Sequence, residues 1–161
     1  MRFERRGEGF EEYDVDELWK LIVRCIREAV VNSDIPASQI KGIGVTSFGN
    51  GLVFVGKNGE TIAPGCFSQD YRANDIIAMY KEEGTYEKIN DIVKGTLFAG
   101  EPGPILRWYK EHERTTYDKI GGVMMFKDYI MFKLTGELAT DLNCFGGSFM
   151  FDLETMDYSD E

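Results

Sequence analysis

The sequence predicts an α/β domain with an antiparallel hairpin in its sheet. Three observations carry that prediction. Apolar residues recur at helical spacing from Val15 to Val30. Two apolar runs, Leu52–Val55 and Thr61–Ala63, flank the turn-forming Lys57-Asn58-Gly59-Glu60. Beyond them, strand-like and helix-like segments alternate to the end of the chain.

The elements follow in order. Arg2-Phe3-Glu4-Arg5-Arg6 has strand-like alternation that Gly7-Glu8-Gly9 interrupts. Asp14 with Glu17 three positions later signals a capped helix start, and Val15, Leu18, Trp19, Ile22, Ile26, Ala29 and Val30 share the face that packs on the sheet. After the loop 32–39, Ile40–Thr46 reads as a buried strand. Asn58-Gly59 closes the hairpin, since both turn positions tolerate positive φ. Asp70 is the expected N-cap of a helix running to Glu83 and stopped by Gly84. Further helices are expected near 86–93, from Pro104 to His112, and from Asp128 to Leu134 before Gly136. Gly122–Phe126 and Ser148–Leu153 are short strands.

Composition narrows the function. The 161 residues suffice for one domain, 43% are hydrophobic and 29% charged, and the net charge is −10. Such an acidic chain without a Lys/Arg stripe is expected to bind neither nucleic acid nor anionic membrane. Cys25, Cys66 and Cys144 lie far apart without a CxxC pair, which together with the lack of a signal-like apolar run after Met1 points to reduced thiols and a cytoplasmic protein. With one histidine, His112, the chain lacks the ligands of a zinc site and the base of a Ser-His-Asp triad. No GxxxxGK[ST], GxSxG or HExxH motif occurs.

The most suggestive segment is Ser47-Phe48-Gly49-Asn50-Gly51, where small residues and one amide follow a predicted strand end. Gly-Asn-Gly is equally a good turn, and both readings stand. Gln69-Asp70-Tyr71-Arg72 brings a carboxylate and a guanidinium together at a helix start, which capping explains as well.

Taken in order, these segments resemble a known family. Ile43–Leu52 is similar to its IG(I/L)(S/T)-x-Q-x-x-G segment, and Ser68-Gln69-Asp70-Tyr71-Arg72 to its W-x-D-x-R segment. Gly103–Glu113 resembles its K-L-x-W-L-x-x-x-E-P helix, and Lys127-Asp128-Tyr129-Ile130 with Leu134–Glu137 and Thr140-Asp141 its KDYL…LTGE…TD block. The family is the FGGY carbohydrate kinases, and the pattern is most like its L-xylulose kinase and xylulokinase branches.

The resemblance implies a ribonuclease-H-like (actin-like ATPase) α/β fold, of which residues 1–161 form a single, partial N-terminal sugar-binding domain lacking its first strands. It implies phosphoryl transfer from ATP, with Mg²⁺, to a hydroxyl of a pentulose or polyol. Asn50 stands where xylulokinases carry a histidine and glycerol kinases a glutamate, which makes it the first choice of substrate ligand. Gly49 stands where glycerol kinases use an arginine. Ser68 and Leu97 replace a substrate-facing tryptophan and a polar or aromatic contact, Phe48 replaces the usual glutamine, and Asp70 is the aspartate of the W-x-D-x-R segment. The phosphate-binding GxDxGT strand and the domain supplying the general base are not recognised in the chain. It is therefore expected to hold no ATP, metal or catalytic base, and to be inert by itself. The alternatives are a non-catalytic sugar-binding or regulatory module and a structural fragment. Strands left without neighbours are expected to self-associate through their edges.

Overall fold

A computed structural model describes residues 6–159; the predicted alternation at Arg2–Arg6 therefore lies largely outside the described residues. The centre is a four-stranded antiparallel sheet of β1 (Glu12–Tyr13), β2 (Leu52–Val55), β3 (Thr61–Cys66) and β4 (Gly122–Met125), in the order β1-β3-β2-β4. Strand β2 pairs on one side with β3, Leu52 facing Cys66, and on the other with β4, Leu52 facing Met125 and Val55 facing Gly122.

Because side chains alternate along a strand, β2 feeds two cores. Leu52 and Phe54 join Cys66, Ile76, Ile105, Trp108, Tyr109 and Met125 on one face. Val53 and Val55 join Tyr13, Val15, Met124, Phe126, Tyr129 and Ile130 on the other. All four β2 residues are buried, which is why the sequence there is continuously apolar. Burying each such side chain is worth about 1.5–3 kcal/mol.

The first core is roofed by α2 (Asn74–Glu82), α3 (Thr85–Val93) and α4 (Pro102–His112), followed by the single turn α5 (Arg114–Tyr117). The second is covered by α6 (Phe126–Thr135) and the start of α1 (Val15–Val31). Asp14 caps α1 as the sequence predicts, accepting from the Glu17 N–H at 2.8 Å. Gly84, at φ 71°, separates α2 from α3. A last turn, α7 (Leu142–Phe145), precedes a small ribbon of β5 (Phe151–Asp152) and β6 (Asp157–Tyr158).

Several expectations are corrected. Ile40–Thr46 forms no strand: Ile40 and Ile43 are exposed, and only Val45 packs against the second core. A strand exists only through its ladder, and among the described residues no other segment pairs with this one. Helix α1 shares that situation. Its first turns, through Leu18, Trp19 and Ile22, rest on the second core, whereas Val31 is 80% exposed. The hairpin turn spans Gly56–Glu60, with only Gly59 at positive φ, so it is a longer loop than a tight two-residue Asn-Gly turn. Asp70 caps no helix. Helix α2 starts at Asn74 because the carboxylate is held elsewhere, as described next. The expected strand 148–153 shrinks to Phe151–Asp152.

Candidate functional site

Three loops meet, the first packed on second-core residues and the third beside the first core. The loop after Thr46 folds its Phe48 ring back over Gly51, where a Cβ would stand 2.2 Å from the ring. Phe48 stacks on Phe126 at 5.4 Å and 23° and leans on Phe67 at 5.2 Å. The Gly51 carbonyl accepts from the Phe126 N–H at 2.7 Å, which ties this loop to the end of β4. Between the two glycines Asn50 adopts φ 57°, the left-handed region that asparagine tolerates better than most residues.

The second loop, Phe67–Asp70, is closed by the Asp70 N–H donating to the Phe67 carbonyl at 3.0 Å. The third is the turn Phe98–Glu101, closed by the Glu101 N–H donating to the Phe98 carbonyl at 3.2 Å. Gly100 lets the two approach, since a Cβ there would lie 2.3 Å from the Ser68 carbonyl oxygen and 3.1 Å from that of Asp70. The first and third loops are joined side chain to side chain: the Asn50 Nδ2–H donates to Glu101 Oε1 at 2.7 Å. A cleft of about 420 Å³ opens between the first and second loops, lined by Glu11, Phe48, Phe67, Ser68 and Gln69; neither Asn50 nor Glu101 lines it.

The structure thus brings Phe48, Gly49, Asn50 and Ser68 to one region. Phe48 and Gly49 are exposed, and Asn50 and Ser68 half-buried. Two other sequence candidates are placed differently. Leu97 is 3% exposed and packs into the first core. Asp70 is 1% exposed; its Oδ2 accepts from the Glu11 N–H at 2.9 Å and from Arg72 Nη2 at 2.7 Å, and its Oδ1 accepts from Arg72 Nε at 2.9 Å. Arg72 continues the clamp to Glu12 at 2.7 Å and to the Tyr109 hydroxyl at 3.3 Å, and lies 4.2 Å over the Phe10 ring. Arg6 bridges Glu12 and Glu113 at its outer end. Asp70 and Arg72 therefore anchor the second loop to β1 and α4.

Glu101 escapes sequence reasoning. It is fully buried, its Oε2 has no hydrogen-bond partner, and burial raises its pKa from the ordinary carboxyl value to about 8. A glutamate before a helix reads as a surface cap. The available signal is Pro102-Gly103-Pro104 behind it, because two prolines leave the Gly103 N–H as the one first-turn donor at N1–N3 that a cap could bind.

Among the described residues no three His, Cys, Asp or Glu side chains gather as a metal-binding group. The chemistry open to the residues of these loops is the binding of a polar ligand. An amide, a hydroxyl, exposed backbone at Gly49 and a tilted aromatic pair together suit a small polyhydroxylated molecule. No helix among the described residues is long and apolar enough to cross a membrane.

Comparison with known proteins identifies the family and the fold. The family described as "FGGY family of carbohydrate kinases, N-terminal domain" matches residues 1–161. A probable L-xylulose kinase of Pasteurella multocida is 35% identical over 150 residues, 93% of this chain and 31% of that protein. The L-xylulose/3-keto-L-gulonate kinase of Escherichia coli is likewise 35% identical over 93% of the chain and 30% of its own length. A ligand-bound xylulose kinase of Lactobacillus acidophilus superimposes with a TM-score of 0.91 at 21% identity, over 99% of this chain and 32% of that one. The fold is the ribonuclease-H-like fold of these kinases, and the chain spans about a third of the length of the curated relatives it matches.

Proposed function

Because this chain belongs to the FGGY family of carbohydrate kinases, we propose that the protein carrying it transfers a phosphoryl group from ATP to a hydroxyl of a pentulose or polyol such as xylulose. In this reading the chain supplies part of the sugar-binding half. One observation supports it above the others: the Phe48–Asn50 loop is joined to Glu101 through the half-buried Asn50, and its Phe48 lines a cleft with the Phe67–Asp70 loop.

Asn50 holds a sugar hydroxyl through the polar atoms Glu101 does not occupy, and the Gly49 backbone lets the sugar come close. Phe48 offers an apolar face beside it, and the Ser68 hydroxyl a further polar contact. Leu97 and Asp70 act from behind, as core and anchor of the loops. The ATP, the Mg²⁺ and the base that accepts the hydroxyl proton belong to other parts of an intact kinase, so this chain alone gives no turnover. The unpaired cysteines fit a cytoplasmic setting. The outer edges of β1 and β4, the end strands of the sheet, support self-association of the isolated chain through strand edges; light scattering giving only monomer at high concentration would contradict that.

The test is a coupled ADP-release assay with L-xylulose, D-xylulose and ribitol. The full-length protein is expected to turn over at least one of them, and the 161-residue chain none. A full-length protein inactive on all three would overturn the substrate class, and turnover by the chain alone would overturn its incompleteness.

A further inference from the structure

The Glu101 side chain is not the helix cap its position suggests. The residue occupies the N-cap position of α4 yet its side chain caps no backbone N–H. Its carboxyl is fully buried, Oε1 accepts from Asn50 Nδ2, and Oε2 is enclosed without a partner. Burying a carboxyl with an unmatched oxygen lowers stability, and binding sites are where folds tolerate such costs.

The geometry says what this group does for Asn50. The asparagine amide has two N–H donors and one carbonyl acceptor. With Nδ2 drawn to Glu101 at 2.7 Å, Oδ1 is turned away from the carboxyl as an acceptor, on a residue already held at φ 57° between glycines. A free asparagine side chain would flip between presenting donors and presenting an acceptor. Glu101 removes that choice.

We infer that Glu101 is a positioning residue that fixes the orientation of the Asn50 amide, so that Asn50 Oδ1 accepts a hydroxyl hydrogen of the substrate and the pair selects among polyhydroxylated substrates by the placement of that hydroxyl. This rests on the reading that Asn50 faces the sugar. The two side chains then act as one unit: loss of Glu101 acts through Asn50 and has nothing left to act on when Asn50 is removed.

The experiment uses the full-length protein with Glu101→Met, which keeps length and volume, Glu101→Gln, which keeps the acceptor, Asn50→Ala, and the double variant Asn50→Ala/Glu101→Met. KM and kcat are measured for L-xylulose, D-xylulose and ribitol. Glu101→Met is expected to raise KM for the best substrate about tenfold, with kcat within about twofold, and to narrow the differences among the three substrates. Glu101→Gln is expected to stay within about twofold of the unchanged protein, and the double variant to be no worse than Asn50→Ala alone. Glu101→Met is also expected to melt no lower than the unchanged protein, because an orphaned buried carboxyl is removed. A KM shift equal for all three substrates, losses that multiply in the double variant, or no KM shift at all would overturn the inference while leaving the kinase reading intact. An unchanged protein inactive on all three would overturn the kinase reading, and the role of Glu101 with it.

Discussion

Asp70 and Glu101 are two buried carboxyl groups on neighbouring loops, and they are treated oppositely. Both Asp70 oxygens are engaged, by Arg72 and by the Glu11 N–H. Glu101 meets no cation, shares one oxygen with Asn50 and leaves the other unmatched. A charge paired this completely holds loops in place, and its loss leaves other charges stranded. A carboxyl buried with a free oxygen costs stability and is explained by what it does for a neighbour. The contrast falls on two loops whose backbones meet at Gly100.

The sharpest break on the scaffold side is Arg72→Met. It leaves Asp70 in the interior without a cation and takes from Glu12 one of its two arginine partners, both carboxylates lying 2.7 Å from the guanidinium, and is expected to cost about 3–5 kcal/mol in denaturant unfolding. A loss below about 1 kcal/mol would show that the clamp is not structural. Gly100→Ala attacks the junction between the two regions. Its methyl would meet the Ser68 carbonyl at 2.3 Å, so a loss of about 1–3 kcal/mol is expected, together with weaker sugar binding in calorimetry.

The pH dependence sharpens the site side. The folded Glu101 carboxyl keeps its proton up to about pH 8, whereas the unfolded one releases it near the ordinary 4.5. Across that window the folded chain binds more protons, so the contribution is present below about pH 4.5 and is lost as pH rises toward 8. Melting temperature is expected to fall by about 3–5 °C per pH unit from this group. Glu101→Gln removes that slope; an identical slope in the variant would refute the assignment. The smallest effect is outside both regions. Arg24→Ala breaks an exposed pair with Glu28 at 3.2 Å and is expected to change stability by less than about 0.5 kcal/mol.

What the sequence discloses follows from how local each cause is. The α1 cap is legible because Asp14 and Glu17 act three residues apart. The β2–β3 hairpin is legible because its turn lies between the strands it joins. Ile40–Thr46 is misread because an apolar run advertises a strand but says nothing of whether a ladder partner lies beside it. Asp70 looks like a cap in sequence, but its carboxylate is claimed by the backbone of Glu11, 59 residues away. Motif order leads to Asn50, since a glycine-flanked amide has a local signature. Glu101 stays hidden because its partner is 51 residues distant and its burial is a property of three converging loops.

Asn50→Ala in the full-length protein tests whether the Phe48–Asn50 loop faces the sugar. KM for L-xylulose, or for whichever of the three substrates is turned over best, is expected to rise about tenfold or more while kcat stays within about threefold. A KM equal to that of the unchanged protein would contradict the account.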